Sequence, residues 1–118
     1  MPQQFTPGDD LVFQIESGLG LLRIIAIDGE GAEAVWHLLA YDDFFPDVES
    51  AENALRRPEL LTVRKAHMAL TDRAFERTPA ARLGNREVSP AELAGYQEWL
   101  TSDRKVSDRS ALLLLGIR

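Results

Sequence analysis

Leu11, Phe13 and Ile15 alternate with Val12, Gln14 and Glu16. A period of two with one mostly polar face predicts a strand over Leu11–Ile15. A second apolar run, Leu21 to Ile27, follows Ser17-Gly18-Leu19-Gly20 and carries Arg23 as its only charge. Such a run suits a central strand covered on both faces. Asp28-Gly29-Glu30-Gly31 supplies another turn, and Glu33 to Tyr41 reads as a third strand. Along it Trp36 and Leu38 share one face, and Val35, His37, Leu39 and Tyr41 the other. Three strands with tight connections predict an antiparallel meander. The glycines at 18 and 20 then belong to a hairpin turn. A phosphate-holding loop needs a helix after its glycines, and here an apolar strand follows.

The alternation breaks at Asp42, so Asp42-Asp43-Phe44-Phe45-Pro46-Asp47-Val48-Glu49 reads as an irregular acidic segment. Ser50 is the expected N-cap of a short helix near 51–57, with Glu52 in its first turn, Arg56-Arg57 in its last and Pro58 as its stop. Leu60 to Leu70 is expected to be a strand. Asp72 to Arg82 is a further candidate, at an edge that would tolerate Pro79. Val88-Ser89-Pro90-Ala91-Glu92-Leu93 combines a cap, a proline at the first helical position, a capping box and a hydrophobic staple, and starts a helix near 90–101. Leu93, Tyr96, Gln97 and Leu100 fall on one stripe of it, beside Trp99. Leu112 to Ile117 is either a last strand or a short helix. The fold class is therefore α+β. A small, strongly bent antiparallel sheet or partial barrel of five or six strands packs against the helix at 90–101. Trp36 and Trp99 are expected to meet across the sheet.

At 118 residues the chain fits a single domain spanning 1–118. It has no cysteine, which excludes disulfides and thiolate zinc sites and is compatible with a reducing compartment. The first ten residues lack the pattern of a secretory signal, and the apolar run Ala111–Leu115 is far short of the roughly 20 residues of a membrane helix. A soluble, cytoplasmic protein with no membrane partner is expected. Charge is uneven: residues 1–55 carry a net −10, residues 56–86 a net +5 and residues 87–118 a net −1, making the −6 of the whole chain. The acidic front half would repel phosphates, so nucleic acid is not an expected partner, whereas a basic protein is.

Few residues point to catalysis. There is no Gly-x-Ser-x-Gly elbow, and His37 and His67 both fall within predicted strands. Asp42, Asp43, Asp47, Glu49 and Glu52 are clustered, but without the order of a calcium loop. No metal site, cofactor or catalytic residue is expected. Phe44 and Phe45 are expected to turn inward. Either one left exposed would be a contact for a partner, because aromatic anchors dominate interfaces.

Pro7-Gly8-Asp9, then Val12-Phe13 and Ile15, then Gly20 and Leu22-Arg23-Ile24, resembles the opening of the immunity protein 26 family. Tyr41 to Leu55 looks like that family's passage from third strand to aromatic-acidic segment and short helix. The likeness covers roughly residues 5 to 70. Asp10-Leu11 is an insertion against the family's usual opening, and its terminal Trp-x-x-Ile-Gly phrase has no clear counterpart. The resemblance implies an SH3-like barrel that neutralises a bacterial toxin by binding it.

These readings lead to a non-catalytic protein-binding module. Asp42, Asp43, Asp47 and Glu49 would steer a basic partner, and Phe44 or Phe45 would anchor it. One alternative is a small-molecule pocket or minor enzyme built on His37 and Tyr41. Another is a subunit that dimerises by pairing Leu112–Ile117 edge to edge. The oligomeric state expected is accordingly monomer or homodimer.

Overall fold

The computed structural model describes residues 5–116. Five strands form one antiparallel sheet in the order β4-β3-β2-β1-β5, and it does not close into a barrel. They are β1 (Asp9–Ile15), β2 (Gly18–Asp28), β3 (Val35–Phe45), β4 (Val63–Thr71) and β5 (Ala80–Asn85). Among the described residues the α-helices are α1 (Val48–Leu55), α2 (Asp72–Glu76), α3 (Pro90–Leu100) and α4 (Ala111–Leu115), with short 3-10 turns at Gly31–Glu33 and Pro58–Leu60.

Both faces of the sheet are covered. On one face Leu11, Phe13, Leu22, Ile24, Leu38 and Leu70 pack under α2 and α4 through Ala74, Phe75, Ala111 and Leu115. On the other, Val12, Leu21, Ile25, Leu39 and Tyr41 pack under Ala51 of α1 and against Leu93 and Tyr96 of α3. The alternation of β2 accounts for this two-sided core: every residue from Gly20 to Ile25 is buried. Trp36 stacks on Phe75 with ring centroids 4.1 Å apart, whereas Trp99 lies against His37 on the opposite face. The two tryptophans therefore do not meet.

Several boundaries differ from the sequence reading. Gly18 and Gly20 are not loop residues but the first positions of β2, paired with Ile15 and Phe13. A Cβ on Gly20 would run into the Phe13 ring, so glycine there lets an aromatic lie flat across the neighbouring strand. The segment Asp42–Phe45 is strand rather than irregular loop. Between Leu22↔Ala40 and Gly20↔Phe44, β2 advances two residues while β3 advances four. That bulge breaks the period of two without ending the strand.

The first helix begins at Val48 and not at 51. Its cap is Asp47, whose carboxylate accepts from Ser50 N at 2.8 Å, so Ser50 is not the cap. Asp72–Glu76 is the helix α2, capped by Thr71, and strand resumes only after Pro79, at the sheet edge. Residues 111–115 are helical, which removes the strand that the edge-pairing reading required; Ile117 lies outside the described residues. The capping box of α3 forms as its sequence demands. Ser89 Oγ accepts from Glu92 N, and Ser89 N donates to Glu92 Oε1 at 3.0 Å. No helix among the described residues is long and apolar enough to cross a membrane.

Candidate functional site

Three constellations stand out. The first is the acidic stretch at the end of β3 and the start of α1. Asp42 is exposed and lies 3.7 Å from Arg64. Asp43 accepts from Thr62 N at 2.8 Å and holds the chain entering β4. Asp47 caps α1, and its bond from Ser50 N keeps its carboxyl below the usual range. Glu49 is exposed. Phe45 tucks against the Leu21–Tyr41 side of the core, but Phe44 is 43% exposed. Among the described residues Phe44 is the one aromatic that stands in solvent. Val48, also 43% exposed, follows one turn later. Of the pair expected to turn inward, only Phe45 does so.

The second constellation was not anticipated. Arg23, the lone charge of the apolar run, is fully buried. It faces Asp10 across the β1–β2 ladder. Its guanidinium donates to Asp10 Oδ1 (3.2 Å), Gly8 O (2.7 Å), Arg86 O (3.0 Å), Glu87 O (3.2 Å) and both oxygens of Glu92. Asp10 also receives Arg86 in a two-pronged pair at 2.7 and 2.9 Å, and Arg86 reaches Tyr41 Oη at 3.3 Å. The bond to Asp10 holds the Arg86 guanidinium more firmly charged than usual. Burial pushes the Glu92 carboxyl up, but Arg23 and the Ser89 amide outweigh it and leave it lowered. Beside them, burial pushes Asp9 up, and bonds from Asn85, Thr6 and Arg82 bring it below its ordinary value. Every charge here is matched, and among the described residues no buried side-chain nitrogen or oxygen lacks a partner, as a buried ionic network requires. The arrangement fastens β5 and α3 to the sheet.

The third lies under α3. Tyr96 donates to Asp28 Oδ1 at 2.8 Å, Asp28 Oδ2 is 2.9 Å from His37 Nε2, and His37 Nδ1 is 2.8 Å from His67 Nε2. His37 is fully buried between Tyr96, Trp99 and His67. Burial lowers its pKa despite Asp28. Burial, then His37 and Lys65, lower that of His67 to about 4. Gly95 permits this packing. A Cβ there would come within 2.8 Å of the His67 Cβ, so an otherwise unfavourable helix glycine lets α3 approach β4. His37 and Tyr41 do share a face, as the alternation predicts. Both rings are nonetheless enclosed, and each belongs to a different polar network, so they do not form a common pocket.

Among the described residues no group of three or more histidine or acidic side chains is placed to hold a metal ion. Of the sequence-proposed contacts, Asp42, Phe44, Asp47 and Glu49 are exposed, Asp43 and Phe45 are half-buried, and Asp43 and Asp47 have structural bonds. Arg23 and the histidine pair carried one sequence signal each: a lone charge inside a buried run, and imidazoles on strands otherwise apolar.

No protein-family model matches this chain, and no curated protein or solved structure matches it either.

Proposed function

We propose that this chain is a non-catalytic protein-binding module that docks a basic partner on the surface formed by Asp42, Phe44, Val48 and Glu49. The observation that carries the reading is Phe44, the one exposed aromatic among the described residues, the others being buried or half-buried. With 43% of its surface in water, Phe44 forfeits somewhat under half of the about 1.5–3 kcal/mol of full burial, a cost that contact with a partner recovers. The acids around it lie in the half of the chain with net charge −10. They supply long-range attraction and orientation to a positively charged partner. The most specific form of the proposal is an immunity protein that covers a toxin. It rests on the resemblance of residues 5–70 to the immunity protein 26 family and on the fit of an α+β sheet fold to that role.

The test is capture of the partner, beginning with the product of any toxin gene beside this one. Two variants are compared with the parent: Phe44→Ser, and Asp42→Asn with Glu49→Gln. Both spare Asp43 and Asp47, whose bonds hold β4 and α1. The first should lose the complex through faster dissociation. The second should slow association and flatten its dependence on salt. Undiminished binding by both variants overturns the proposal.

A further inference from the structure

The histidine pair ends at a hollow. His67 lines a depression of about 300 Å³ with Lys65, Trp99, Lys105, Ser107 and the apolar side chains of Met68, Val106 and Leu114. Its walls are held in place. Ser107 bonds to both Ala69 O and Thr71 N, lying along β4 like a short extra strand, and Trp99 Nε1 donates to Lys105 O at 2.8 Å. The hydrogen-bond order fixes what His67 presents. The Asp28 carboxylate requires a donor, so His37 carries its proton on Nε2. His37 Nδ1 is then an acceptor and takes the Nε2 proton of His67. Nδ1 of His67 is left as a bare lone pair with no partner among the described residues. No fully buried side-chain nitrogen lacks a partner, so this atom is open to solvent.

The acceptor therefore shares this hollow with two lysines and an indole, and the Lys65 charge is felt at His67. The cations point to an anion, and the lone pair to an anion that still carries a hydroxyl. We propose that this hollow binds a phosphate monoanion that keeps a hydroxyl, as in inorganic phosphate or a phosphomonoester: its P–OH donates to His67 Nδ1, its charged oxygens face Lys65 and Lys105, and any flat organic body lies against Trp99. The charged groups around the site are Asp28 behind His37, Tyr96 and Arg104 on the α3 side, and Asp103, which lies 3.6 Å from Lys105 in full solvent. The site is separate from the Phe44 surface and stands or falls independently of it.

The experiment follows the ring resonances of ¹⁵N-histidine-labelled protein at pH 6 during titration with inorganic phosphate, phenyl phosphate or dimethyl phosphate. The last is a fixed monoanion with no hydroxyl, matching the charge of the proposed ligand. Inorganic and phenyl phosphate should produce saturable shifts centred on His67 Nδ1, with phenyl phosphate the tighter. Dimethyl phosphate should bind at least tenfold more weakly. Lys65→Met with Lys105→Met, both exposed positions that leave the core intact, should weaken phenyl phosphate at least tenfold. No saturable shift, equal binding of dimethyl phosphate, or indifference to loss of the two lysines would each overturn the proposal.

Discussion

Replacing Arg23 with methionine removes the centre of the buried network while roughly preserving its volume. Asp10 keeps its two bonds from Arg86, and Gly8 O keeps its bond from Arg86 N. Three acceptors lose the guanidinium: Arg86 O, Glu87 O and the Glu92 carboxylate. Removing one partner of a buried ion pair costs about 3–5 kcal/mol. The Glu92 side chain retains 19% exposure and its bond from Ser89 N, which puts the expected loss at the lower end, about 3 kcal/mol. Against an ordinary stability of about 5–15 kcal/mol the variant still folds. With a urea m-value of about 1–3 kcal/mol/M, the unfolding midpoint should fall by at least about 1 M, with m unchanged. Adding Glu92→Gln should return about 1 kcal/mol or more, because glutamine is neutral and can still close the capping box. A single Arg23→Met variant within about 1 kcal/mol of the parent would refute the view that this network fastens α3 and β5 to the sheet.

Gly20→Ala should cost about 1–3 kcal/mol in chemical denaturation, since the Phe13 ring must move; a glycine in a free turn would show no such loss. Ser89→Ala should lower stability by about 1 kcal/mol and Ser89→Gly by a few tenths, read as a shift of a few degrees in Tm. The lowered pKa values of His37 and His67 mean that the unfolded chain binds more protons than the folded one below pH 6.5. Stability is therefore full above about pH 6.5 and declines as pH falls toward 4, and His67→Gln should flatten that slope in a pH series of urea melts.

The sheet was legible wherever one residue's environment followed from its neighbours in sequence. Leu21–Ile27 is apolar apart from Arg23 because helices cover both its faces. Ser89-Pro90-x-Glu92 forms its cap because all the groups involved lie within one turn. Legibility failed where a distant contact decided the outcome. The bulge opposite Gly20 and Leu22 hid the continuation of β3 through Asp42–Phe45, since alternation is read from one strand and a bulge is a property of two. Five residues of α2 are too few to show a helical period, and their apolar members Ala74 and Phe75 are fixed by the core they fill. The candidate surface was partly visible. The acids and the phenylalanine pair could be named, but which ring faces water depends on the register of β3. The partnership of His37 with His67 depends on pairing β3 with β4 and then laying α3 over both, which no local pattern encodes.

The strand order also constrains when this molecule can become itself. β1 is made first, yet one of its two neighbours is the last strand; Asp9 and Asn85 are bonded across 76 positions. Until the ribosome has released residues beyond 86, Asp9 lacks Arg82 and Asp10 has Arg23 but not Arg86, and the meander of β1 to β4 is left with one bare carboxylate and an unpaired flank. Closing so long a loop is entropically slow. A chain halted before β5 is thus a charged ribbon with an open edge, and this domain is completed only when β5 arrives, its final stitch ionic.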